Sequence, residues 1–291
     1  MRAPLMWRCG PRALDCGTRT RVMGILNVTP DSFSDGGRYL DAGAAVARGV
    51  LMAEEGADLI DVGGESTRPG AEDVPPGVER DRVVPVIRSL SSSVDVPVSI
   101  DTRKPEVAEA AVDAGATVVN DVTGAREPRM FDVVRDSGAG LVLMHMRGDP
   151  ATMRELTDYE DVVADVKAHL AGRLRAAEAA GIAAESLCVD PGLGFAKTAE
   201  QSLRLMREID AFLDLGRPVL AGPSRKSFIG QVLDAGVDER LEGTAAAVAW
   251  LAARGAHIVR VHDVAEMARV VRVIDAVRDA GSPVAGRTVA T

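Results

Sequence analysis

Residues 22–37 read VMGILNVTPDSFSDGG. The apolar run 22–28 predicts a strand buried on both faces, the kind used by a parallel sheet under helices. Residues 29–37 form a polar loop rich in Gly, Pro, Asp and Ser, and a helical pattern begins near Asp41. In α/β folds, a long loop after the carboxyl end of a buried strand is where chemistry is placed.

The same alternation repeats along the chain. Further apolar runs lie at 58–63, 96–101, 117–121, 140–146, 187–191, 218–222 and 257–262. Helical patterns lie at 41–55, 76–92, 104–114, 128–137, 159–180, 199–213, 242–254 and 264–279. Glycines such as Gly115 and Gly138 follow several of these patterns, as helix C-terminal caps do. Eight strand–helix units in about 260 residues predict a (β/α)8 TIM barrel. A doubly wound open sheet needs no eighth repeat, and its Gly-rich dinucleotide turn does not follow the first strand. Residues 1–21 break the rhythm. Two short strand-like runs around Gly10, Pro11 and Arg12 predict a hairpin covering the amino-terminal end of the barrel. The organisation is then 1–21 hairpin, 22–280 barrel and 281–291 a small-residue tail expected to be disordered.

Composition is consistent with this. Hydrophobic residues make up 46% but aromatics only 3%, so the core must be built of Val, Ile, Leu, Ala and Met. A formal net charge of -9 argues against a nucleic-acid surface. No apolar run reaches membrane-spanning length, and the arginines at the N-terminus are not followed by a signal-peptide core. Cys9, Cys16 and Cys188 lack metal-site spacing and read as reduced thiols of a cytoplasmic protein.

The carboxyl ends of the strands carry Asn27, 63–68 (GGESTR), Asp101, Asn120, Asp121, His145, Asp190, 224–226 (SRK), Arg260 and His262. In a barrel these ends converge on one mouth. Asp121 and Asp263 read as caps of the segments that follow, and Arg225 as a solvated charge. The remainder exceeds what capping needs. Asp101, Asn120 and Asp190 suit a flat heterocycle with an amidine-like edge, which a carboxylate grips through paired hydrogen bonds. Lys226 supplies a donor for a ring carbonyl. Arg68, Arg260 and His262 supply positive charge for a phosphate group. Asn27 offers a hard oxygen for Mg²⁺ held jointly with phosphate oxygens.

The blocks GILNVTPDSFSDGG (24–37), DVGGESTRPGA (61–71), SIDT (99–102), NDVTG (120–124), MHMRGDPATM (144–153), DPGLGFAKT (190–198), SRKSFIG (224–230) and IVRVHDV (258–264) resemble those of the dihydropteroate synthase family, pterin-binding TIM barrels. The similarity spans residues 22–280. It implies condensation of 6-hydroxymethyl-7,8-dihydropterin pyrophosphate with para-aminobenzoate, in a homodimer that uses Mg²⁺. It implies Asn27 as the Mg²⁺ ligand, and Asp101, Asn120, Met144, Asp190 and Lys226 around the pterin. Thr67, Arg68, Arg260 and His262 fall at the pyrophosphate, and Pro30, Phe33, Ser66, Thr67, Phe195 and Ser227 near the aminobenzoate. Among these, Asp101, Lys226, Arg68 and Arg260 are the expected catalytic groups. Pro223 and Arg147 depart from the family's expected pattern.

An electron-rich dihydropterin stabilises a cation at its methylene, so pyrophosphate is expected to leave before the weak arylamine nucleophile attacks. A pterin-dependent methyltransferase would share the pocket but would not need Asn27, Arg68 and the ESTRPG loop. A non-catalytic pterin-binding paralogue would be marked by loss of those loops, and here they are complete. Their composition, poor in apolar anchors, predicts that loops 29–37 and 64–71 order only when phosphate and Mg²⁺ supply charge.

Overall fold

A computed structural model describes residues 4–29, 38–66, 70–71 and 73–280, with backbone only for 38–41. Two antiparallel strands, β1 (Met6–Cys9) and β2 (Arg12–Asp15), come first. Then follow β3 (Arg21–Asn27), α1 (Arg38–Glu54), β4 (Leu59–Gly63), α2 (Pro76–Ser93), β5 (Val98–Asp101), α3 (Pro105–Asp113), β6 (Val118–Asp121) and α4 (Arg129–Ser137). The chain continues with β7 (Gly140–Met144), α5 (Val162–Ala179), β8 (Leu187–Asp190), α6 (Ala199–Arg207), β9 (Leu220–Ala221), α7 (Ser227–Leu233), α8 (Leu241–Ala253), β10 (Ile258–Val261) and α9 (Val264–Asp279).

The eight strands β3–β10 are parallel, in the order β8-β7-β6-β5-β4-β3-β10-β9. A parallel bridge between Val189 and Val219, with Val189 N donating to Pro218 O at 2.9 Å, joins β8 to β9 and closes the ring. The expected TIM barrel is therefore the observed fold.

Strand alternation sorts side chains into two environments. Val22, Leu26, Ile60, Val62, Ile100, Val119, Leu141, Leu143, Val189, Val259 and Val261 face outward and pack against the helices in one large apolar cluster. Met23, Leu59, Val118, Val142, Cys188, Leu220 and Ile258 face inward and form the lowest layer of the barrel interior. The hairpin closes this layer from below. Trp7, Cys9 and Cys16 are fully buried against it, and Trp7 Nε1 donates to Ser186 O at 3.0 Å. The three cysteines are buried, form no disulfide and serve as small apolar groups in this layer and its plug.

Several boundaries differ from the sequence reading. The expected helix 199–213 ends at Arg207 and gives way to a 3₁₀ stretch, Ile209–Leu215. Trp250 Nε1 donates to Met206 O at 3.0 Å and takes a carbonyl that would have continued the helix. The helix expected at 159–180 starts at Val162, because the Asp161 side chain accepts from Val163 N and Ala164 N at 2.9 and 3.1 Å. The short α7 falls outside the helical patterns of the sequence. The expectations for 30–37 within loop 29–37, for 67–69 within 64–71 and for tail 281–291 lie outside the described residues.

Candidate active site

On strand after strand, the residue two positions beyond the inward apolar one is also inward, and it reaches the mouth. Leu59 is thus followed by Asp61, Val118 by Asn120, Val142 by Met144, Cys188 by Asp190 and Ile258 by Arg260. Ser99 likewise precedes Asp101. The barrel is apolar at its base and charged one layer above, and the step of two residues is the strand pleat itself.

The centre of this layer is an ion network. Arg260 Nε donates to Asp61 Oδ2 and its Nη2 to Asp101 Oδ2, both at 2.6 Å. Asn120 Nδ2 donates to the same Asp61 oxygen at 2.9 Å. The second oxygens of Asp61 and Asp101 are buried and have no hydrogen-bond partner among the described residues. Burial pushes Asp101 up to about 7; Arg260 opposes this and Asp61 reinforces it. Two carboxylates share one guanidinium, which leaves acceptor capacity directed at a donor from outside the chain.

Asp190 faces the other side of the mouth. Its Oδ1 accepts from Gly192 N at 2.7 Å. Burial raises its pKa, against the hydrogen bond from Gly192 and the charges of Lys226, Arg260 and Lys197. Gly192 (φ 69) has to be glycine, because a Cβ there would lie 2.1 Å from His145 O. Lys226 Nζ donates to Leu193 O at 2.5 Å and stands 4.0 Å from the centre of the Phe195 ring. Burial pulls this lysine down to about 7, with Asp190 opposing. Met144 is buried in a satellite cluster with Val122, Met146, Met153 and Ala196, against which Phe195 packs.

The side of the mouth expected to take phosphate is partly described. Ser224 Oγ and His262 Nδ1 are 3.0 Å apart, and His262 N donates to Ser224 Oγ at 3.2 Å. Asn27 ends β3 beside Gly63, which pairs in turn with Asp101. A Cβ at Gly63 would lie 3.8 Å from both Asn27 Oδ1 and Asp101 Oδ2, so the two side chains flank the same point of the mouth. Among the described residues no group of three or more His, Cys, Asp or Glu could hold a metal ion. A lone neutral amide oxygen fits Mg²⁺, which keeps waters and phosphate oxygens in its shell, better than an ion needing a full protein cage. Ser66 is exposed at the rim, and Ser227 is exposed at the first position of α7. Pro30, Phe33, Thr67 and Arg68 lie outside the described residues.

Glu65, at the root of the segment that carries Thr67 and Arg68, is held from below. Lys104 Nζ bonds Glu65 Oε2 at 3.1 Å and Glu79 Oε2 at 2.8 Å, and Val74 N donates to Glu65 Oε1 at 3.0 Å.

Two readings are corrected. Arg225 is not a solvated charge. It binds Asp263 through Nε and Nη2 at 3.1 and 2.6 Å, and Arg240 donates to its carbonyl at 3.0 Å. Asp263 therefore makes no side-chain cap on α9. Pro223 starts the turn that Lys226 N closes on Pro223 O at 3.2 Å, with Arg225 left-handed at φ 55. Asp121 does act locally, accepting from Thr123 N and Oγ1 at 2.7 Å, and it faces away from the mouth. Asp61, Ser224, His145 and Lys197 were assigned no role from sequence. For Asp61 a signal exists: a lone carboxylate inside an apolar strand, two residues before the glycine at its end.

A profile of the family described as pterin binding enzyme matches residues 23–262. The chain is 47% identical to a dihydropteroate synthase of Synechocystis sp. over 269 residues, covering 92% of this chain and 93% of that protein. It superposes on Xanthomonas albilineans dihydropteroate synthase with 4-aminobenzoic acid at a TM-score of 0.89 and 47% identity, covering 95% of this chain and 99% of the other. On the same organism's enzyme in complex with 7,8-dihydropteroate the TM-score is 0.85 at 45% identity, covering 94% and 98%.

Proposed function

The chain belongs to the dihydropteroate synthases of the pterin-binding enzyme family, and on that premise we propose that it condenses 6-hydroxymethyl-7,8-dihydropterin pyrophosphate with para-aminobenzoate, releasing pyrophosphate. The observation that carries this reading is the charged layer at the mouth. Among the described residues Asp61 and Asp101 each keep a buried carboxylate oxygen without a protein partner, while Asn120 and Arg260 hold the other oxygens in place. A planar heterocycle with adjacent N–H donors satisfies such acceptors, and an apolar ligand does not.

In this reading Asp190 and Asn120 complete the grip on the pterin, and Lys226 donates to its ring carbonyl. Asp101 and Asp190 lie where they stabilise positive charge as it spreads over the ring. Arg68, Arg260 and His262 stabilise the departing pyrophosphate. Asn27 is the residue that would hold Mg²⁺ with the phosphate oxygens, and the ion would supply charge neutralisation of the leaving group. Departure precedes attack, because the arylamine is a weak nucleophile and the ring stabilises the cation. The arylamine is held near Phe195, Ser227, Ser66, Pro30, Phe33 and Thr67. Positioning of this kind is worth effective molarities of about 10⁵–10⁸ M.

We further propose a homodimer formed through α8 and α9, supported by Trp250, Val273 and Val277, which are 48%, 61% and 68% exposed. Three buried cysteines with no disulfide among them support a reducing, cytoplasmic setting. Among the described residues no helix is long and apolar enough to cross a membrane.

The test is release of pyrophosphate from the pterin substrate by purified protein, with omission of each component in turn. Release that depends on both para-aminobenzoate and Mg²⁺ is expected. No release with all components present overturns the reading.

A further inference from the structure

Behind the mouth, the loops after β7 and β8 are joined by a buried lysine that the reaction does not use. Lys197 is 8% exposed. Its Nζ lies 2.8 Å from Phe195 O, 3.0 Å from His145 Nδ1 and 3.4 Å from His145 O. Three polar atoms of the chain surround the amine, whose pKa burial lowers well below the ordinary lysine value. Burial above all keeps His145 unprotonated, down to about 2, which leaves one ring nitrogen as an acceptor. His169 packs edge-on against the His145 ring at 4.8 Å.

Between Phe195 and Lys197 stands Ala196, left-handed at φ 49. An L residue with a Cβ adopts that conformation only when its surroundings impose it. The surroundings do so from both sides. Lys197 binds the carbonyl before Ala196, and Tyr159 Oη donates to Ala196 O at 2.9 Å. Tyr159 is itself held by Arg147, whose guanidinium lies 3.7 Å from the ring centre. This gives Arg147, a departure from the family's expected pattern, a structural task. The turn so fixed carries the Phe195 ring on which the Lys226 ammonium rests.

We propose that Lys197 is a positioning residue for arylamine binding: with His145 and Tyr159 it clamps the strained 195–196 turn, and so presents the Phe195 ring in one orientation to Lys226 and the arylamine. This rests on the proposed condensation and on the arylamine packing against Phe195. Lys197 touches neither substrate. Its loss lets Ala196 relax out of the left-handed region and swings Phe195 from its seat.

The test is Lys197→Met in the full chain, with Tyr159→Phe as a second, milder release of the same turn. Expected for Lys197→Met is a rise of about tenfold in KM for para-aminobenzoate and in Kd for a sulfonamide, with kcat changed less than about threefold. Adding Ala196→Gly recovers a large part of that loss, because glycine adopts positive φ without strain. Tyr159→Phe shifts the same constants in the same direction by less. A role confined to holding the scaffold would instead lower melting temperature and active fraction with KM and Kd unmoved, and no glycine would rescue it. That outcome overturns the proposal, as does a crystal structure of Lys197→Met with Ala196 still left-handed and Phe195 unmoved. Wild-type protein that makes no dihydropteroate strikes the proposed function instead, and the structure of the variant still decides on the clamp.

Discussion

Replacing Asp61 by Asn preserves shape and removes one charge from the centre of the mouth. Asp61 is fully buried and shares one oxygen between Arg260 Nε at 2.6 Å and Asn120 Nδ2 at 2.9 Å. The amide oxygen of Asn can keep facing both donors, but the –NH₂ then occupies the site of the unpartnered oxygen. An acceptor offered to the ligand becomes a donor. Arg260 keeps Asp101, so the guanidinium loses one of its two ionic partners. Hydrogen bonds to charged groups are worth about 1.5–3 kcal/mol, and a stranded buried amide costs about as much, so a stability loss of roughly 2–4 kcal/mol is expected. At about 2 °C per kcal/mol for a chain of this size, the melting temperature falls by roughly 4–8 °C. Pterin affinity, measured by calorimetry on folded protein below that temperature, falls by roughly 10- to 100-fold. Asp275→Asn is the matched control. Asp275 is also a buried carboxylate, bound to Thr20 N at 2.8 Å and Thr20 Oγ1 at 2.9 Å, but at the opposite end of the barrel. It should destabilise without touching affinity. If Asp61→Asn loses stability yet binds pterin as Asp275→Asn does, Asp61 is scaffold and the reasoning fails.

Lys226→Met should weaken pterin binding by roughly 10- to 100-fold, the worth of a hydrogen bond from a charged donor, with melting temperature nearly unchanged, because loss of the hydrogen bond to Leu193 O is offset by relief of the burial that pulls this lysine down to about 7; calorimetry and a thermal melt read the two effects. Burial holds His145 to about 2 in the fold against an ordinary value of 6.5, so only the unfolded chain takes up this proton as pH falls from 6.5 towards 2. The contribution is fully present above pH 6.5 and is lost on acidification, and His145→Gln should flatten the slope of stability against pH between 6 and 4 by about one proton in urea titrations. Sulfonamides should bind about tenfold or more tightly to protein preloaded with a pterin, Mg²⁺ and pyrophosphate than to protein alone, because the segments expected to line the aminobenzoate pocket also carry Asn27 and Arg68; equal affinity in the two titrations would refute ordered binding.

The barrel was legible because its signal is repetition: eight apolar runs with helical patterns between them. The charged residues at strand ends were legible because polar groups there exceed what capping requires. Asp61 was not, because it sits inside its strand, and only the observed register of β4 against β3 and β5 shows that it shares a face with Asp101. Arg225 and Asp263 were misread because their pairing joins residues 38 positions apart across α7 and α8. The Lys197 clamp escaped for a related reason. A lysine in a glycine-rich loop reads as solvent-exposed until the fold places His145 and Tyr159 around it. Helix boundaries slipped where a side chain from elsewhere took a backbone group, as Trp250 does at Met206 O.

The central claim is that the charged mouth built by Asp61, Asp101, Asn120, Asp190, Lys226 and Arg260 performs the condensation. The direct measurement follows dihydropteroate and pyrophosphate together, after wild-type protein is mixed with the pterin pyrophosphate, Mg²⁺ and para-aminobenzoate, beside Asp101→Asn and Lys226→Met proteins shown to be folded. Equimolar formation of both products by the wild type, lost or strongly slowed in both variants, is the predicted result. No dihydropteroate from the wild type, or undiminished turnover in the two variants, would contradict it.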